Sequence, residues 1–152
     1  MKQDVLAQIT AINLALRGVS TLYVKWSNKH NINHFTMKIL YILITEGSVT
    51  QKKIGEDNKL PKQTVNNIVT ALKKDGYVTL VSCEKDKREK LIVLTESGRE
   101  YVANLLESLF QIEEKTIEKM GTQNVLKLIE LVTIYGNIME QEMQNKEAVE
   151  NK

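Results

Sequence analysis

Residues 60–98, LPKQTVNNIVTALKKDGYVTLVSCEKDKREKLIVLTESG, decide the fold, because they read as a helix, a turn and a charged hairpin in unbroken succession. Leu60-Pro61-Lys62-Gln63-Thr64 opens the helix, with Pro61 expected in its first turn, where a missing N–H has no partner to lose. Val65, Ile68, Val69 and Leu72 recur at helical spacing as a buried stripe, so Lys62, Gln63, Asn66 and Asn67 are left facing outward. Asp75-Gly76 turns the chain. Tyr77–Val81 and Leu91–Leu94 are then β-rich segments around Cys83–Lys90, a loop too charged to be core. A helix with a polar start, followed at once by a basic hairpin, suits a nucleic-acid duplex. The helix fits the major groove and the hairpin reaches the adjacent minor groove.

The flanks extend the helical pattern. Ile9, Ile12, Leu16, Val19, Tyr23 and Trp26 predict a long first helix from about Asp4 to Lys29. Asn33 is placed to cap a second helix through Ile39, Leu40, Leu43 and Ile44, which Gly47 ends. Ser48-Val49 is a short extended piece, and Thr50 caps a third helix of about seven residues. After the hairpin, Thr95 caps a helix carrying Val102, Leu105, Leu106, Leu109, Phe110 and Ile112. It breaks near Gly121 and resumes after Thr122 with Val125, Leu128, Leu131, Val132, Tyr135, Ile138 and Met139. The expected fold class is mainly α with a small β-hairpin wing.

With 152 residues the chain is one domain's worth. The formal net charge is +2, but residues 1–50 carry +3, residues 51–90 carry +4 and residues 91–152 carry −5. Lys and Arg neutralising phosphates supply most sequence-independent affinity for DNA, so the basic middle is the candidate contact surface. The one cysteine, Cys83, allows no internal disulfide, and Met1-Lys2-Gln3-Asp4 lacks the apolar stretch of a signal peptide, which points to the cytoplasm. The longest uninterrupted apolar run is Ile39–Ile44, so no membrane span or membrane partner is expected. His30 and His34 have i, i+4 spacing, but Asn31-Ile32-Asn33 between them reads as a helix break and no other ligand cluster accompanies them. No metal site is expected. No phosphate-binding glycine loop, nucleophile elbow or supported nucleophile–base pair appears, so neither cofactor nor enzyme activity is expected.

The terminal helices hold more apolar surface than a small winged helix can cover, which implies a second subunit. A two-fold protein matches a palindromic site whose half-sites are roughly 10 bp apart.

Thr50-Gln51, Thr64-Val65, Leu72, Asp75-Gly76-Tyr77-Val78, Asp86-Lys87-Arg88 and Leu94-Thr95-Glu96-Ser97-Gly98, in this order and spacing, resemble the MarR (multiple antibiotic resistance regulator) family of bacterial winged-helix transcription regulators. The Asp-x-Arg pair lying shortly before Leu94-Thr95 is the most specific element. The resemblance implies a winged helix-turn-helix embedded in a helical homodimer. Residues 1–152 form a single MarR-like domain, with 1–32 and 95–146 as the dimerisation region, 33–94 as the winged helix-turn-helix and 147–152 as a frayed tail. It places Arg88 at the wing tip in the minor groove, its guanidinium held by Asp86. Lys62, Gln63, Thr64, Asn66 and Asn67 approach the major groove, and Lys85, Lys87 and Lys90 meet phosphates or are simply solvated.

Three departures from the family pattern bear on specificity. Pro61 stands where a small polar cap is common, Asn67 where an arginine is common, and Asn58-Lys59 where an apolar residue and a glycine usually turn the chain. Many members release DNA when a small aromatic acid or lipophile enters a crevice beside the winged helix. Tyr23, Trp26, His30, His34 and Phe35 lie near that junction, although such an aromatic group is more often packing than pocket. Other members respond through a cysteine. Cys83 borders basic residues but reads better as an inert thiol on a strand. The function expected is that of a sequence-specific DNA-binding transcriptional regulator, a homodimeric repressor of a pseudo-palindromic operator with a small aromatic or lipophilic effector. The alternatives are a winged-helix protein-interaction module and a constitutive architectural DNA binder.

Overall fold

A computed structural model describes residues 2–82 and 89–150. The expectations for Cys83, Lys85, Asp86, Lys87 and Arg88 lie outside the described residues. The order of elements is α1 (Gln3–Lys29), α2 (His34–Glu46), β1 (Ser48–Thr50), α3 (Gln51–Asn58), α4 (Lys62–Lys74), β2 (Val78–Ser82), β3 (Lys90–Leu94), α5 (Glu96–Met120) and α6 (Thr122–Glu150). The chain divides into two compact units, residues 1–107 and 108–152.

In the first unit, local signals end each helix where the sequence places them. Asn33 accepts from the N–H groups of Phe35 and Thr36, starting α2, and Gly47 at φ +80° stops it. Thr50 accepts from Lys53 N–H to cap α3, and Thr95 accepts from Gly98 N–H to cap α5. The core collects the inner faces of these elements: Met37, Ile39, Leu40 and Leu43 from α2, Ile54 from α3, Val65, Val69 and Leu72 from α4, and Val102 and Leu106 from α5. Each such side chain withdraws about 1.5–3 kcal/mol worth of apolar surface from water. Ile68, expected in the stripe, is only half-buried, because it lies on the flank of the helix between the inner and outer rows.

The hairpin proves to be part of a three-stranded antiparallel sheet in the order β1-β3-β2. Val78 pairs with Leu94 and Leu80 with Ile92, while Val49 of β1 pairs with Ile92 from the other side. Val49, Val78, Ile92 and Leu94 are all buried on one face, so the short extended piece before α3 is a covering strand for the wing. Lys90, expected in the loop, instead begins β3 opposite Ser82.

One further expectation is corrected at the turns, and the turn before α4 is defined. Pro61 is the N-cap of α4, not a first-turn residue: its ψ of 136° is extended and Lys62 is the first helical position. Lacking a side-chain acceptor, Pro61 leaves the first N–H groups of α4 without a side-chain cap. Between α3 and α4 the left-handed residue is Lys59, at φ 52°, the position where the family pattern usually has glycine. Asn58 ends the helix and donates its Nδ2 proton to Ile54 O. Leu60 N–H reaches back to Gly55 O and Lys59 N–H to Glu56 O, a Schellman closure with lysine where glycine is usual.

The outer helices behave differently. α1 buries only Trp26 and Ser27, and Leu6, Leu16, Val19 and Leu22 are 45–61% exposed. α1 also meets the length and hydropathy of a membrane-crossing helix. In the second unit, residues 108–152, α6 buries none of its residues and exposes Leu126, Leu128, Ile129, Leu131, Ile134, Ile138 and Met143. Gly121 at φ +74° separates α5 from α6, as the sequence predicts. The tail expected to fray is helical to Glu150, where Lys146 and Glu150 face each other one turn apart at 3.9 Å.

A β-carbon in the left-handed region costs about 1–2 kcal/mol, partly offset by the greater freedom of glycine when unfolded. Lys59→Gly is therefore expected to stabilise the protein by about 0.5–1 kcal/mol, read as a raised midpoint in thermal or urea unfolding.

Candidate nucleic-acid interface

The outer face of α4 is built by what its inner face must do. Burying Val65, Val69 and Leu72 turns Lys62, Gln63, Asn66 and Asn67 to solvent, all four exposed, with Thr64 half-buried at the edge. Thr70 is exposed as well and continues this row, because 63, 66, 67 and 70 share one side of a helix. The helical period alone could have identified it. The face carries no acidic side chain, and Lys73 and Lys74 lie in the last turn.

Gln63 and Asn67 are joined: Gln63 Nε2 donates to Asn67 Oδ1 at 2.7 Å. The bond holds two flexible amides in one arrangement. It leaves Gln63 Oε1 as an acceptor and both protons of Asn67 Nδ2 as donors, the complement that an adenine edge offers in the major groove. Beside the start of α4, Gln51, Lys52, Gly55, Glu56, Leu60 and Lys62 line an open concavity of about 420 Å³. Lys90 is exposed at the foot of β3, on the shank of the hairpin. Lys85, Asp86, Lys87 and Arg88 stand between β2 and β3 in sequence and lie outside the described residues.

Of the five aromatic and histidine residues singled out by sequence, the structure brings together two pairs. The rings of Trp26 and His30 stack at 4.0 Å, and those of His34 and Phe35 meet at 5.8 Å with a tilt of 50°. His30 Nδ1 lies 2.8 Å from the Trp26 carbonyl oxygen, which only accepts, so this ring nitrogen carries the proton. Ser27, missed in the sequence reading, links the two helices. Fully buried, it donates Oγ–H to Tyr23 O at 2.9 Å, and its oxygen faces His34 Nδ1 at 3.5 Å. Burial, helped by the positive charge of Lys38, holds His34 below its ordinary pKa of 6.5 and favours the neutral ring. A small hydroxyl inside an apolar helix was the available signal. Tyr23 is half-buried, whereas His30 and Phe35 are exposed. Trp26 is buried, yet its Nε1–H has no hydrogen-bond partner among the described residues.

The sequence model of the MarR family matches residues 36–89, from α2 into the charged loop. A MarR family regulator from Neisseria meningitidis is similar to this chain at 31% identity and a TM-score of 0.77, over 91% of this chain and 98% of its own. NadR, solved in complex with 4-hydroxyphenylacetate, shares the fold at 20% identity and a TM-score of 0.68, over 83% of this chain and 89% of its own. The HTH-type transcriptional regulator YkoM of Bacillus subtilis (strain 168) is 28% identical over 88 residues, which is 58% of this chain and 57% of that relative. The chain thus spans less than two thirds of the length of that curated relative.

If the bonded amides act as one unit, removing either disables both. Gln63→Ala and Asn67→Ala are each expected to weaken binding to a selected duplex by about 1–3 kcal/mol. The double variant should be little worse than either single one in a fluorescence-anisotropy double-mutant cycle.

Proposed function

This chain belongs to the MarR family, and from that premise we propose that it is a homodimeric, sequence-specific DNA-binding transcriptional repressor acting in the cytoplasm. The observation that carries this reading is α4, whose inner stripe is buried in the core while its outer row of Lys62, Gln63, Asn66 and Asn67 stays exposed. Seated in a major groove, that row reads base edges. The first turn of α4, with N–H groups that no side chain caps, faces the backbone phosphates. The hairpin then lies along the neighbouring minor groove, with Arg88 inserted and oriented by Asp86, and with Lys85, Lys87 and Lys90 on the phosphates. No cofactor is needed, because the work is recognition.

The second copy follows from the apolar faces. The exposed leucines, isoleucines and valines of α1, and separately those of α6, exceed what a monomer ordinarily leaves in water. Burying them between copies covers the surface and sets two α4 helices against successive grooves of a pseudo-palindromic operator. Occupying that operator excludes polymerase. The indole N–H of Trp26, unpartnered among the described residues and on a ring stacked against His30, supports an effector site for a small aromatic molecule bearing a hydrogen-bond acceptor. In that reading, effector binding reorients α1 against α2 and lowers DNA affinity.

Affinity for a selected duplex is expected to fall linearly in log–log form as salt rises, with a slope near −0.9 per phosphate contact, while light scattering reports a dimer. Arg88→Ala should weaken binding about tenfold or more and leave the dimer intact. Affinity that ignores salt, or a monomer at assay concentration, overturns the reading. Trp26 is the one tryptophan, so an aromatic carboxylate that binds should change its fluorescence saturably and release the duplex over the same concentration range. A fluorescence change without release leaves the repressor and overturns the effector.

A further inference from the structure

The end of α4 is fastened to the start of α5 by a dense set of contacts around Tyr77. Its N–H donates to Leu72 O at 2.9 Å, closing α4, and its carbonyl accepts from Thr95 N–H at 3.0 Å, at the threshold of α5. Its ring stacks on Tyr101, one turn into α5, with centroids 4.1 Å apart and planes 5° from parallel. The neighbouring Gly76 carbonyl accepts from Thr95 Oγ1 at 2.6 Å and from Ser97 Oγ at 3.3 Å. Gly98 completes the arrangement. A β-carbon there would fall 1.9 Å from Tyr77 O and 2.8 Å from its carbonyl carbon, so only glycine lets the α5 backbone lie against this peptide.

Such a joint exceeds what closing a helix requires. Gly76 alone, at φ +78°, supplies the left-handed residue that ends α4. The additional contacts fix the angle between two helices, one that reads and one that carries 25 residues away from the wing. A stacked ring pair resists tilting as well as separation, because sliding off the offset geometry loses contact area across both faces.

We propose that Tyr77 and Tyr101, with Thr95 and Gly98, form a positioning clamp that sets the direction of α4 relative to α5 and thereby selects the half-site spacing the dimer accepts. The clamp touches no DNA, and it rests on the dimeric DNA-binding reading above. Its consequence is distinct from that of a base contact: losing it flattens the preference for spacing and leaves the sequence preference within one half-site unchanged.

The test uses the full-length dimer and three variants. Tyr101→Leu keeps an apolar side chain but removes the stack, Tyr101→Phe keeps the stack, and Thr95→Val removes the hydroxyl that holds Gly76 O. Affinity is measured for a duplex carrying the selected operator and for the same duplex with one base pair inserted between half-sites. Circular dichroism at the assay temperature identifies the folded variants. Tyr101→Phe should match the parent. Tyr101→Leu or Thr95→Val, whichever is folded, should bind the selected operator roughly tenfold more weakly and bring the ratio between the two duplexes towards one. A folded Tyr101→Leu or Thr95→Val that retains the parental ratio overturns the clamp. A parent indifferent to the insertion overturns instead the dimeric reading beneath it.

Discussion

The carbonyl groups of Gly76 and Tyr77 are the hinge on which the rest of the first unit turns. Each accepts hydrogen bonds donated from the start of α5, and the N–H of Tyr77 closes α4 from the other side. These bonds mark where α4 ends, where β2 begins and where α5 departs. Val78 enters the sheet on the residue after this joint, and its pairing with Leu94 returns the chain to Thr95. The loop of structure from α4 through the hairpin to α5 is therefore closed on itself. The helix α4 and the strands β2 and β3 are thereby tied to the start of α5.

This arrangement serves one helix face. The inner residues of α4 have no freedom, since each fills core that α2, α3 and the sheet also fill, and close packing tolerates little change in shape. The outer residues carry no such duty and are free to be chosen for recognition. The Gln63–Asn67 bond adds order even there, reducing the entropy lost when amides are fixed against a partner. Where the core is complete the surface is polar. Along α1 and along α6, by contrast, large apolar side chains are exposed.

Much of the fold was legible because its signals are local. Asn33, Thr50 and Thr95 as caps, Gly47 and Gly121 as stops, and the stripe of Val65, Val69 and Leu72 depend on neighbours within a few residues. The outward row of α4 followed from the same period, and Thr70 belonged to it. Other features were illegible because they join distant residues. Nothing about Ser48-Val49-Thr50 announces that it pairs with Val93-Ile92-Leu91, and the stacking of Tyr77 on Tyr101 depends on how α5 leaves the sheet. Lys59 shows the limit of residue preference. Asn58 has the greater tolerance for the left-handed region, yet the helix ends one residue later because Asn58 finds a better partner in Ile54 O.

The sequence by itself determined the class of the fold, the family and the face of α4 that remains available, since hydrophobic period and capping chemistry act over a turn or two of chain. The tertiary structure alone decided the third strand, the register of β2 against β3, the joint at Gly76 and Tyr77, and the lack of a partner for the Trp26 indole N–H among the described residues. Those depend on which distant groups arrive at hydrogen-bonding or van der Waals distance, and that is settled only when the whole core closes.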